Sequence, residues 1–168
     1  DASGGAALLN DCKYGYKLLD GVLDLNLLRS PENPDPEADL GHHSFTYSFL
    51  PHEGGLVGSE VIQEAACLNR APLVLPGRSE ALMLPCRLVG GAGASLEVLK
   101  LAYKRGERII RVVETDGCNS TARLALEPGR KLVETNLVEW SSGMTLNQED
   151  GVVEIPLKPF EIRTFRIR

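Results

Sequence analysis

The chain has 168 residues, 43% of them hydrophobic, and a formal net charge of -5. That apolar fraction can pack one ordinary domain or two small ones, which excludes an intrinsically disordered chain. Lysine and arginine are scattered rather than clustered and the apolar runs are short, so neither nucleic acid nor a membrane is an expected partner.

The sequence starts at Asp1 with no initiator Met, basic n-region or apolar h-region, which predicts a piece of a longer protein rather than a mature secreted one. Asp11, Lys13, Tyr14 and Tyr16 gather charge and aromatic surface at the end of a strand. Residues 21–29 alternate Val22, Asp24 and Asn26 with Leu23, Leu25 and Leu27, and residues 44–50 alternate Phe45, Tyr47 and Phe49 with Ser44, Thr46 and Ser48. Each pattern predicts an antiparallel strand with one wet face. Between them, residues 30–39 hold three prolines and four acids, too many breakers for anything but a loop, and run into Asp39-Leu40-Gly41-His42-His43. A helix is predicted next, with Ser59 as N-cap, Glu60 in the first turn, an apolar stripe of Val61, Ile62, Ala65, Ala66 and Leu68, and a stop near Pro72.

Residues 73–88 alternate short apolar runs with Pro76, Gly77 and Pro85 and read as an irregular strand pair. The small, uncharged run Gly90-Gly91-Ala92-Gly93-Ala94 is the expected internal boundary, dividing the chain into residues 1–92 and 93–168. It carries no GxGxxG or Gly-Lys-Ser/Thr pattern that would make it a phosphate cradle. Six short strands follow, at 96–103, 108–114, 122–126, 131–138, 152–157 and 162–167, separated by Arg105-Gly106, Asp116-Gly117, Pro128-Gly129 and Asp150-Gly151. That spacing predicts a small β-sandwich. The fold class is therefore mainly all-β: one short helix in an incomplete antiparallel region, then a small β-sandwich. The first ninety residues have too few strands for their loops, which predicts exposed sheet edges and leaves open pairing with a second copy as a homodimer.

Several residues invite a chemical reading. Asp39, His42, His43 and His52 offer potential metal ligands, but adjacent histidines on a strand point to opposite faces, and hydrogen bonding to the nearby loop is the alternative. Asp11, Asp35, Glu37 and Asp39 are candidate carboxylates for a glycosidase pair, yet loop carboxylates without an apolar pocket do not divide acid and base roles. Trp140, the only tryptophan, is expected to pack at the sandwich edge, with stacking on a sugar as the alternative. Cys12, Cys67, Cys86 and Cys118 form no CxxC pair, which predicts buried or half-buried thiols in a reducing compartment rather than a zinc site or disulfides. No GxSxG turn supports a serine nucleophile.

The ordered segments NDCKYGY, LLRSP, PDPEAD, GHHSFTYSFLPH and VIQEAACLN, with the closing PFEIRTFRIR, resemble the C-terminal region of the α-mannosidases of glycoside hydrolase family 38, and more closely their cytosolic and bacterial branch. The resemblance is dense over 8–72 and 134–168 and thin over 74–95. It implies a cytoplasmic protein whose residues 1–92 close a large antiparallel β super-sandwich and whose residues 93–168 form the small terminal sandwich. It implies retaining hydrolysis of α-linked mannose from glycans by a catalytic N-terminal part of the same polypeptide, which carries the nucleophile and a zinc or other divalent cation. No catalytic or metal-binding residue is expected within this chain, which is expected to be inactive alone. The loop entering GHHSFTYSF is expected near the sugar, making Asp39, Gly41, His42, Asp11 and Tyr14 the substrate-proximal candidates. A free-standing carbohydrate-binding or interaction module is the alternative.

Overall fold

Period-two alternation of apolar and polar side chains turns most of this chain into antiparallel strands, because β-branched and aromatic residues fit a pleated, half-buried surface. The computed structural model describes residues 3–72, 74, 76–77, 84–103 and 106–168. These fall into two compact units, Asp1–Pro76 and Gly77–Arg168.

In the first unit, β1 (Gly4–Asn10) pairs antiparallel with β4 (Tyr47–Glu53), with Leu8 opposite Phe49 and Asn10 opposite Tyr47. A separate hairpin joins β2 (Gly15–Leu19) to β3 (Val22–Asn26). Its loop is Asp20-Gly21, both at positive φ, 52° and 77°, the two-residue turn whose twist matches the flanking strands. The strand expected at 44–50 is shifted to Tyr47–Glu53 because Thr46 is already engaged: its N–H donates to the Asp11 carboxylate and its carbonyl accepts from the Asp11 N–H. The helix α1 (Val61–Asn69) packs on β1, with Val61 buried and Ala65, Ala66 and Leu68 half-buried. Glu60 rather than Ser59 stands at its N-cap and makes no side-chain cap, since the Ser59 hydroxyl donates to the Leu56 carbonyl in the preceding turn.

The second unit is a sandwich of two antiparallel sheets. One has three strands in the order β11 (Val152–Leu157), β8 (Ser120–Leu126), β5 (Cys86–Gly90). The other has five, in the order β10 (Thr145–Asn147), β9 (Lys131–Thr135), β12 (Ile162–Ile167), β7 (Arg108–Glu114), β6 (Ala94–Leu101). Between the sheets, Ile110, Val112, Leu124, Leu132, Ile155 and Phe165 are wholly buried. The Gly90–Ala94 run forms the tight connection from β5 to β6. Gly91, at φ 116°, leaves no room for a Cβ, which would lie 2.6 Å from the Thr121 carbonyl oxygen. Half of the strand pair expected over 73–88 falls on residues 73, 75 and 78–83, outside the described residues, as does Arg105 of the expected Arg105-Gly106 turn. The family-like division at residue 92/93 thus lies inside the second compact unit, which takes in β5 as well.

Two buried carboxylates organise the sandwich's loops. Glu114 accepts backbone N–H groups from Asp116, Gly117 and Phe160 at 2.8–2.9 Å, tying the turn after β7 to the turn before β12. Burial alone would raise its pKa, but these N–H groups outweigh it and hold the carboxyl below its ordinary value. Glu139, at φ 63°, turns its side chain inward to pair with Lys100 and to accept the Tyr103 N–H at 2.7 Å. The loop 136–142 is thereby laid over the outer face of the five-stranded sheet, where Ile109, Thr164 and Arg166 are buried. This inversion sends Trp140 outward, 78% exposed, where edge packing was expected. All four cysteines are free, as expected, but only Cys86 is buried: Cys12, Cys67 and Cys118 sit on exposed loop or helix surface rather than half-buried.

Burial is distributed unequally. Among the described residues every buried hydrophobic side chain except Val61 belongs to the second unit, while Tyr16, Leu18, Val22, Leu28, Tyr47 and Phe49 of the first are exposed. Phe165→Ala is expected to destabilise the sandwich by about 3–5 kcal/mol, and Phe49→Ala to change the stability of the chain by less than about 0.5 kcal/mol, as read from urea midpoints.

Candidate functional site

The polar loops of the first unit converge on an open cleft of about 490 Å³ whose lining includes Lys13, Tyr14, Asn26, Arg29, Asp39 and His43. Its walls are the turn between β1 and β2, the end of β3 and the Pro-rich loop that follows. Proline and acid content keep that loop out of helix or ladder, so its backbone must be satisfied by side chains instead. Asp39 does this work: its carboxylate accepts the N–H groups of Ser30 at 2.6 Å and Arg29 at 3.2 Å, closing the loop on itself. His43, half-buried, hydrogen-bonds through Nε2 to the Asp39 carbonyl at 2.9 Å. In the turn after β1, outside the cleft lining, the Asp11 carboxylate accepts the Thr46 N–H at 3.0 Å, and the ammonium of the cleft residue Lys13 stands 4.9 Å over the Phe45 ring.

The electrostatics follow from these contacts. The Ser30 N–H, reinforced by that of Arg29, holds the Asp39 carboxyl below its ordinary value. The Cys12 thiol and the Thr46 N–H do the same for Asp11. Both carboxylates are therefore anionic at neutral pH, the opposite of the raised pKa that a glycosidase's general acid requires. They can accept hydrogen bonds but have no proton to give.

The sequence-predicted residues divide into two groups. Asp39 and Tyr14 line the cleft, and Tyr14 is 90% exposed. Gly41, His42 and Asp11 lie on the same loops but outside its lining. Gly41 has φ 128°, which L side chains rarely adopt, and open space where a Cβ would stand. Its glycine is thus required by backbone conformation and leaves an unobstructed main chain at the surface. His42 is exposed and His43 turned inward, in irregular chain ahead of β4 rather than in its first residues. Sequence reading missed Lys13, Asn26, Arg29 and His43 as cleft residues. The charge of Lys13 beside Tyr14 was a usable signal, whereas Asn26 and Arg29 arrive only through the hairpin.

The donor set for a metal does not assemble from these residues. Asp39 and Asp11 spend carboxylate oxygens on backbone N–H groups, His43 is bonded to a carbonyl, and among the described residues no three His, Cys, Asp or Glu side chains form a group that could hold a metal ion.

A mostly-strand chain in which a region with a polar cleft is followed in sequence by a small two-sheet sandwich matches a defined class. Residues 1–37 match the family model described as "Glycosyl hydrolases family 38 C-terminal domain", and residues 93–165 that described as "Glycosyl hydrolases family 38 C-terminal beta sandwich domain". The chain belongs to the C-terminal region of glycoside hydrolase family 38. It is 35% identical over 96% of its length to alpha-mannosidase G of Dictyostelium discoideum, and 34% identical over 94% to human alpha-mannosidase 2C1. An alpha-mannosidase of Saccharomyces cerevisiae is 28% identical over 98% of the chain. The chain spans 16% of the length of the first two relatives and 17% of the yeast one.

The Asp39 staple has a defined pH response. A carboxyl whose folded pKa is depressed contributes its stabilisation fully above the unfolded value and loses it as pH falls through the folded one. Asp39→Asn is expected to speed amide hydrogen exchange at Arg29 and Ser30 about tenfold or more at neutral pH. The unsubstituted chain should show the same acceleration only below about pH 4.

Proposed function

We propose that the chain forms the C-terminal β region of a retaining α-mannosidase that removes α-linked mannose from glycans, and that its first unit scaffolds and borders the active site. The observation that carries this reading is the first unit itself: a polar cleft and its loops are built on strands with almost no core of their own, which a larger sheet would supply. The family membership and the length of the relatives support a polypeptide several times longer, whose N-terminal part supplies the catalytic nucleophile and the zinc or other divalent cation.

In this reading the Asp39 carboxylate fixes the loop 30–43 and so positions Gly41, whose bare main chain can approach a sugar hydroxyl as closely as any residue can. His42 stands behind it as an exposed donor or acceptor. Tyr14 and Asp11 border the same side, the phenol offering a flat face and a hydroxyl to the glycan. Pre-orientation of this kind acts on catalysis through geometry rather than through proton transfer. Cytoplasmic residence belongs to the same proposal and is supported by the four free thiols.

A free-standing carbohydrate-binding or interaction module is the second reading, favoured by the exposure of Tyr14 and Trp140. The exposed apolar strands of the first unit favour the enzyme, since a module that lives alone would cover them.

The test is hydrolysis of a chromogenic α-mannoside with added zinc or cobalt, by this chain and by the longer polypeptide that carries it. Turnover is expected from the longer polypeptide alone, and Gly41→Val within it is expected to lower kcat/KM about tenfold or more by straining the loop. Turnover by the pure 168-residue chain would sink the assignment of a scaffolding role.

A further inference from the structure

The loop 136–142 is held more firmly than a connection between β9 and β10 requires. Glu139 is buried and paired with Lys100, and its carbonyl accepts from the Arg166 guanidinium. The Leu137 carbonyl accepts from Arg111, and the Ser141 carbonyl from both Arg166 at 2.8 Å and the Thr135 hydroxyl at 2.7 Å. The Trp140 N–H donates to the Asn136 side chain at 2.9 Å. What this framework lifts into water is apolar: Leu137 is 56% exposed, Val138 55% and Trp140 78%. From Leu137 to Thr145 the sequence carries one charge, Glu139, and that charge is sequestered beneath the loop.

Fixed, uncharged and topped by a tryptophan, the surface has the composition of an interface core, where charged residues are depleted and Trp anchors are enriched. Rigidity matters because a loop already ordered loses little entropy when it binds. A sugar platform would need free hydrogen-bonding groups around the ring. Here the Asn136 amide oxygen is used by Trp140, the Ser141 hydroxyl by the Asn136 N–H, and the Ser142 hydroxyl lies 3.2 Å from the Arg166 guanidinium.

We propose that the Leu137–Val138–Trp140 surface is a preformed docking site for the upstream part of the same long polypeptide, with Trp140 as its anchor. The proposal rests on the reading that this chain belongs to such a polypeptide, and the relatives, of which the chain spans 16%, leave ample chain to supply the apolar acceptor.

Hydroxyl-radical footprinting tests it, because exposed tryptophan oxidises readily. Trp140 is expected to be oxidised about tenfold more slowly in the intact longer polypeptide than in the 168-residue chain, as burial in an interface core demands. Trp140→Ser is expected to lower the melting temperature of the longer polypeptide by several degrees and to leave that of the 168-residue chain within a degree or two, since the side chain touches little of the sandwich. Equal oxidation rates in the two proteins, or equal melting shifts, would overturn the docking role. Protection of Trp140 in the 168-residue chain by a mannobiose titration, with none gained in the longer polypeptide, would overturn it in favour of a glycan platform. Mannosidase activity of the longer polypeptide is assayed separately, so loss of the enzymatic reading and loss of the docking surface are distinguishable.

Discussion

The unequal burial of apolar surface governs everything else about this chain. Burying a Leu or Phe side chain is worth about 1.5–3 kcal/mol, and a two-sheet sandwich collects that contribution many times over between facing sheets. The second unit does so through Ile110, Val112, Leu124, Ile155 and Phe165. The first unit has two-stranded pairs with a single helix on one side, and Tyr47, Phe49, Tyr16 and Leu18 face water. Isolated two-stranded pairs are marginal in water, so the geometry of the cleft depends on apolar cover that its own strands do not provide. In the proposed reading, the rest of a longer polypeptide would supply that cover, and this chain spans 16% of the length of the first two relatives.

Carboxylates perform the same physical task in both units. Asp39, Asp11, Glu114 and Glu139 each accept backbone N–H groups from irregular chain, where no ladder satisfies them. A charged acceptor does this more strongly than a neutral one. Each carboxyl is held below its ordinary pKa, by main-chain N–H groups for Asp39 and Glu114, by the Cys12 thiol and then the Thr46 N–H for Asp11, and by Lys100 and then the Tyr103 N–H for Glu139. The loops that shape the cleft and the loop that carries Trp140 are therefore fixed by anions turned toward main chain.

The strands of the sandwich were legible because alternation is a local signal: 108–114, 152–157 and 162–167 appear where the pattern puts them. The class of fold and the family were legible for the same reason, through ordered segments such as PFEIRTFRIR. Long-range pairing was less so. The shift of β4 depends on Asp11, 35 residues away from Thr46, and β10 is too short to show a period. Glu139 misled most, since one residue at positive φ reverses which neighbours face outward, and nothing in Leu137-Val138-Glu139-Trp140 announces that reversal. Asp39 was visible as a loop carboxylate, but its partners are main-chain groups on the far side of a Pro-rich loop, and no spacing rule reveals those.

The strand order of the five-stranded sheet bears on how the chain can be made. β12 lies between β9 and β7, although it is synthesised after both. During vectorial synthesis β6–β7 and β9–β10 can each form early, yet they cannot join until Ile162–Ile167 has left the ribosome. Until then the nascent sandwich presents two unpaired edges and an uncovered apolar interior. A polypeptide interrupted before β12 is consequently not a smaller sandwich but two open-edged halves, and chaperones or proteases would meet it in that form.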